Sequence, residues 1–158
     1  MRTPRFALVI GSLVLAGCAV AADAPMAPPV PASPTAALMS PSPAGAQLYF
    51  ITPQNGETVA PTFVVRFGLK GMGVAPAGAD LPNTGHHHIL IDHQGDPDLT
   101  LPLPTSDQVK HFGGGQTETE LTLSPGTHTL RLVLGNHLHI PHNPPVMSET
   151  ITVTVKAQ

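Results

Sequence analysis

Apolar and polar positions fall into two regimes along this chain. The first 46 residues show no strand or helix period, and from Gln47 onward short alternating runs are separated by turn residues. Thr62 to Lys70 gives the cleanest run, with Phe63, Val65, Phe67 and Leu69 on one face and Thr62, Val64, Arg66 and Lys70 on the other, which predicts a half-buried strand. Gln47 to Thr52 forms an earlier apolar run closed by the turn residues Pro53-Gln54-Asn55-Gly56. His86 to Asp92 is apolar on both faces at Ile89, Leu90 and Ile91, which suits a central strand. Thr119, Leu121 and Leu123 alternate with Glu118, Glu120 and Thr122, and Ser124-Pro125-Gly126 then turns the chain into Thr127 to Leu134. A last run, Ser148 to Val155, sets Glu149, Ile151, Val153 and Val155 on one face. Gly71 to Gly85 reads as a loop, and Leu99 to Leu103 as a short edge strand limited by Pro102. No segment has a helical period. About seven short strands with turns between them predict an all-β fold, an immunoglobulin-like antiparallel β-sandwich.

The opening residues read as export machinery. Arg2 and Arg5 precede an apolar run from Phe6 to Ala16 that is short for a membrane span, and Leu15-Ala16-Gly17-Cys18 resembles a lipobox. Residues 1–17 are therefore expected to be a lipoprotein signal peptide, with Cys18 acylated; cleavage near Ala22 is the alternative. Cys18 is the one cysteine, so no internal disulfide is available to explain it. Residues 18–46 are rich in Ala, Pro and Ser and are expected to be a tether, with the sandwich domain occupying 47–158. The expected location is the bacterial envelope, facing the periplasm. The absence of an aspartate at Ala19 favours the outer membrane. Without Arg2 and Arg5 the side chains carry 5 basic against 10 acidic groups, which argues against a nucleic-acid partner.

All 9 histidines follow residue 85. In Thr84-Gly85-His86-His87-His88, a strand would place His86 and His88 on one face with Cα atoms about 6–7 Å apart, and two such imidazoles can ligate one metal ion. In a sandwich, the connection leading into His86 and the one after Leu134 share a pole. That brings His137, His139 and His142 toward the same place. The predicted ligands of copper or zinc are His86, His88, His137, His139 and His142, with His87, His111, Met72, Gln116 and Glu118 as further candidates. Met72 would shift preference toward Cu⁺, and Asp80 and Glu149 are possible carboxylate partners. His93 and His128 fall at the opposite pole. His128 takes the place of a corner tyrosine, which predicts a structural hydrogen-bonding role.

Two other function classes compete with a metal-binding module. One is a structural or interaction protein of the envelope whose histidines only hold loops together. The other is a metal-dependent enzyme using Glu118 or Asp80 as acid or base. No Gly-x-Ser-x-Gly elbow, nucleophilic cysteine or phosphate loop is present, so no enzyme is expected. An aromatic content of 4% and the lack of tryptophan disfavour a sugar-stacking platform.

Five stretches together carry a family resemblance: Gly68-Leu69-Lys70-Gly71-Met72-Gly73-Val74, Thr84 to Asp92, Gly115-Gln116-Thr117-Glu118, Pro125 to Leu130, and Pro144-Pro145-Val146 leading to Ser148-Glu149. They resemble an uncharacterised bacterial envelope family, domain of unknown function 4399, across nearly the whole folded part. The resemblance implies an exported or lipid-anchored protein and brings no activity with it. It also suggests that Gly71, Gly73, Gln116 and Glu118 belong to the same surface feature as the histidines.

Overall fold

The computed structural model describes residues 38–157; the expected signal peptide, Cys18 and most of the expected tether lie outside the described residues. Nine strands follow in chain order: β1 (Gln47–Thr52), β2 (Thr58–Val59), β3 (Thr62–Lys70), β4 (Gly73–Val74), β5 (Thr84–Ile91), β6 (Val109–His111), β7 (Glu118–Thr122), β8 (Gly126–Gly135) and β9 (Ile151–Val155). They make an immunoglobulin-like β-sandwich, with no α-helix among the described residues. The smaller sheet has the order β1-β3-β7 and the larger β2-β9-β8-β5-β4, with β6 also paired to β5. Most pairs are antiparallel, and the two-residue strands β2 and β4 run parallel to β9 and β5.

The alternation of β3 is realised as read: Phe63, Val65 and Phe67 are buried while Thr62, Val64 and Arg66 face out. With Leu48 and Leu121 they pack against Ile89, Ile91, Leu130, Leu132 and Val153 of the larger sheet, forming one apolar core between the layers. Strand β5 differs, being buried on both faces from Gly85 to Ile91. Its outward-facing Leu90 packs with Val109, Val133 and Leu103 in a second, smaller apolar cluster. The connections between β5 and β6 and after β8 thus roof the outer face of the larger sheet, and side chains there are shielded from water although they point away from the core.

The expected edge strand at Leu99–Leu103 does not form. Pro102 and Pro104 offer no amide hydrogen, and the Leu103 N–H goes to the His139 carbonyl at 2.9 Å. The strand on that edge is β6 instead. The C-terminal strand begins at Ile151 rather than Ser148, because the Ser148 hydroxyl accepts the Leu132 N–H at 2.9 Å. Residues of the stretch read as tether are also docked on the domain. The Asn143 N–H donates to the Ser40 carbonyl at 3.0 Å, and the Ser42 hydroxyl donates to the Pro144 carbonyl at 2.7 Å.

Candidate metal centre

The β-strand period puts His86, His88 and Leu90 on the outer face of β5 and His87, Ile89 and Ile91 on the core face. Register then brings in a third imidazole, since His111 of β6 lies directly across from His88. A fourth comes from the turn after β8, where His139 adopts φ 66° and aims its ring at His86. The His86 ring centroid lies 4.8 Å from that of His88, 5.0 Å from His111 and 4.9 Å from His139. Each of the four offers a ring nitrogen, and these atoms all lie within 4.8 Å of one another. One metal ion could be held by all four after a contraction of about 1 Å, given metal–nitrogen bonds of about 2.0–2.1 Å.

Two glycines make the room. His86 faces Gly135 across the β5–β8 pair, and a Cβ at Gly135 would lie 2.8 Å from Cε1 of His88. A Cβ at Gly113 would lie 2.3 Å from Cε1 of His111. Side chains at these positions would occupy the volume that the imidazoles fill.

The rings are poorly satisfied by the protein itself. Nε2 of His86 and Nδ1 of His139 share a hydrogen bond of 3.0 Å. Nδ1 of His86, both ring nitrogens of His88 and Nε2 of His111 are buried without any hydrogen-bond partner. Each such group costs about 1–3 kcal/mol when nothing replaces its lost water. Burial, then the neighbouring His139 and His111, push His86 down to about 4. Burial, with His86 and His111 adding to it, pushes His88 down to about 3, and burial with His139 also lowers His111. The first two rings are therefore neutral at physiological pH, the form in which a nitrogen lone pair can bind a metal.

The structure redraws the ligand set expected from sequence. His86, His88 and His139 come together, and His111 joins them as a full member. His142 is buried elsewhere, its Nε2 3.1 Å from the Thr84 carbonyl and its Nδ1 3.3 Å from the Leu134 carbonyl, so it staples the loop to β5 and β8. His137 lies 3.3 Å from the exposed Asp80 carboxylate, outside the cluster. Residues 137–139 form a turn, which separates His137 from His139. His87 faces the core, with its ring centroid 4.9 Å from that of Phe67; the Gln116 backbone approaches it without reaching hydrogen-bond geometry, and burial holds it at about 4. Met72 packs on the apolar core between the sheets rather than among the imidazoles. Gln116 caps the Gly114 N–H at 2.9 Å, Glu118 pairs with Arg66 on the smaller sheet, and Glu149 is exposed. The side chains of Gln116 and Glu118 are thus engaged outside the four-imidazole group. The cluster lies at the end where β5 begins, as the topology predicted, with its imidazoles on the outer face of the larger sheet beside the turn after β8.

Fold and site together define a β-sandwich domain carrying a cluster of four imidazoles, two buried and two half-buried. Residues 65–156 match the domain of unknown function DUF4399, and the chain belongs to that family. No curated protein matches the chain in sequence. Among solved structures, it is similar to the endo-beta-1,4-mannanase from Thermotoga petrophila, at 18% identity and a TM-score of 0.44 over 72% of this chain. The similar part spans only 20% of the mannanase chain. It is also similar to the fibronectin(III)-like modules of Clostridium thermocellum CbhA, at 8% identity and a TM-score of 0.33, over 71% of this chain and 96% of the module chain.

Proposed function

We propose that this protein is a transition-metal-binding module of the bacterial envelope, holding Zn²⁺ or Cu²⁺ through His86, His88, His111 and His139. The observation that carries the reading is that His86, His88 and His111, whose buried ring nitrogens include four with no protein partner, gather with His139 around one point; His87, also unpartnered, lies on the core face outside this group. A metal would occupy those lone pairs and offset the cost of burying them. An all-nitrogen ligand set suits zinc or cupric ion, and the placement of Met72 in the core removes the argument for a soft Cu⁺ site. Four protein ligands make a closed site, and no carboxylate belongs to the group, so the reading is of a binder rather than an enzyme. Arg2, Arg5, the apolar run and Cys18 support an exported, lipid-anchored protein that presents this domain to the periplasm.

The test is metal content and affinity of the untagged chain, with a His86→Ala, His88→Ala double variant beside it. Zinc or copper near one equivalent is expected, absent in the variant. Thermal unfolding should rise with excess metal, by about 2.7 kcal/mol at a hundredfold excess over Kd. Equal weak binding by both proteins would overturn the assignment.

A further inference from the structure

Resting on that reading, we infer that Asn136 is the positioning residue of the metal centre and that it joins residues 38–43 to it, so that metal binding and docking of this segment are coupled. His139 sits in the left-handed region, which residues other than glycine enter only when their surroundings hold them there. Asn136 does the holding. Its Oδ1 accepts the N–H groups of Leu138 at 2.9 Å and Ile140 at 3.1 Å, on either side of His139. Its carbonyl accepts the His139 N–H, and its own N–H donates to the Ile140 carbonyl, both at 2.9 Å.

The other end of the same carboxamide faces the N-terminal segment. Nδ2 donates to the Leu38 carbonyl at 2.9 Å and to the Ser40 hydroxyl at 3.1 Å. Asn136 is 1% exposed, so both ends of its amide are committed with no water to substitute. The docked segment is mostly polar or small, from Ser40 to Ala46, and is held by hydrogen bonds more than by apolar burial. Such a contact lies near balance with the entropy of the free chain, where a modest bias decides its population. Metal fixing His139 would quiet the turn and with it the carboxamide that receives the segment, and linkage makes the effect reciprocal. Release of the segment would lengthen the free chain ahead of the domain by roughly 20 Å, at about 3.1 Å per extended residue for six residues.

The experiment measures Zn²⁺ affinity by chelator competition, and amide exchange at Ser42 and Asn143 with and without Zn²⁺, on the full untagged chain. Wild type, Asn136→Ala and a Ser40→Ala, Ser42→Ala double variant are compared. Zn²⁺ should slow exchange at both amides by about fivefold or more, the order of a typical coupling. The serine variant should bind Zn²⁺ roughly three- to tenfold more weakly, and Asn136→Ala more weakly still, with exchange in β3 and β7 unchanged. If Asn136→Ala loses protection throughout β3, the serine variant decides, because it removes only two hydroxyls of the segment. Tight Zn²⁺ binding with unchanged exchange at Ser42 and Asn143, and wild-type affinity in the serine variant, would overturn the coupling and leave the metal reading intact. Absence of Zn²⁺ binding by wild type, or equal binding by the His86→Ala, His88→Ala variant, would remove the metal reading and the coupling with it.

Discussion

The two ends of β5 handle histidine in opposite ways. At its start, His86 and His88 are buried among other imidazoles, with Nδ1 of His86 and both nitrogens of His88 lacking a partner and pKa values pushed down to about 4 and about 3, first by burial. Just past its end, Asp92 meets His128, and both ring nitrogens of His128 are matched: Nδ1 lies 2.7 Å from Asp92 Oδ2 and Nε2 2.9 Å from the Ser124 carbonyl. There the Asp92 hydrogen bond raises the His128 pKa against the pull of burial, and the Ser124 carbonyl adds to it. Two acceptors on one ring call for an imidazolium that donates twice. A histidine partnered in this way fastens a corner of the fold. A cluster with unpartnered nitrogens costs stability, and the proposed metal would offset that cost.

The strongest way to break this contrast is to make the same substitution at both ends. His88→Leu should remove metal-dependent stabilisation altogether. It should leave the metal-free protein as stable as wild type or about 1 kcal/mol more so, because an apolar side chain of similar size replaces an unsatisfied one. His128→Leu should destabilise by about 1–2 kcal/mol and leave metal affinity unchanged, since Asp92 loses a charged partner far from the cluster. Urea unfolding with chelator and with metal would measure all four quantities. Losses of equal size in the metal-free proteins would erase the distinction between fastener and site.

Next in size is Gly135→Ala. Its φ is ordinary, so the backbone accepts alanine, and the clash falls on the His88 ring. Zn²⁺ affinity should fall by about 10–100-fold, the usual cost of disturbing the support around a ligand. Unchanged affinity would mean that His88 is free to move and contributes little.

That glycine also shows what could be read from the chain alone. The i, i+2 histidines of β5 were legible because a strand's period is local, and the sandwich because Phe63, Val65 and Phe67 alternate without interruption. His128 as a structural corner was legible from its turn. His111 as a core ligand was not, because a three-residue strand followed by Gly113-Gly114-Gly115 has no period, and its place beside His88 is a matter of register between distant segments. His139 was legible from topology, which sends the loop after Leu134 toward His86, but the same argument brought His137 and His142 with it, whereas a turn built on Asn136 delivers His139 alone. The usable signals were the small ones, Gly113 and Gly135 standing where rings need space and an asparagine three residues ahead of the left-handed His139.

The pH dependence of stability separates the two ends with a smaller effect. Buried His86 and His88 have folded pKa values below the ordinary 6.5, so the unfolded chain binds protons first as pH falls. Stability of the metal-free protein should be full above about 6.5 and fall on acidification toward 4 and below. The slope approaches about 1.4 kcal/mol per pH unit for each such ring. His88→Leu should reduce that slope by about one ring's share.

His128 titrates with the opposite sign. Its folded pKa is raised, so its contribution is fully present below about 6.5 and is lost as pH rises through the folded value. For Asp92, burial raises the pKa, but the hydrogen bonds from the Thr129 N–H and from His128 outweigh it and leave the carboxyl lowered. Its contribution therefore holds above the ordinary value of 3.8 and is lost as pH falls through the folded one. The pair should be strongest between those limits. Asp92→Asn keeps a residue type that tolerates the positive φ of 50° and removes the charge together with one of the two acceptor oxygens that meet Thr129 and His128. It should cost about 1 kcal/mol near pH 6 and less at alkaline pH, where His128 has lost its proton in either protein. A cost that stays constant from pH 5 to 9 would show that the corner works by shape alone, and that charge at the far end of β5 is not what sets it apart from the cluster.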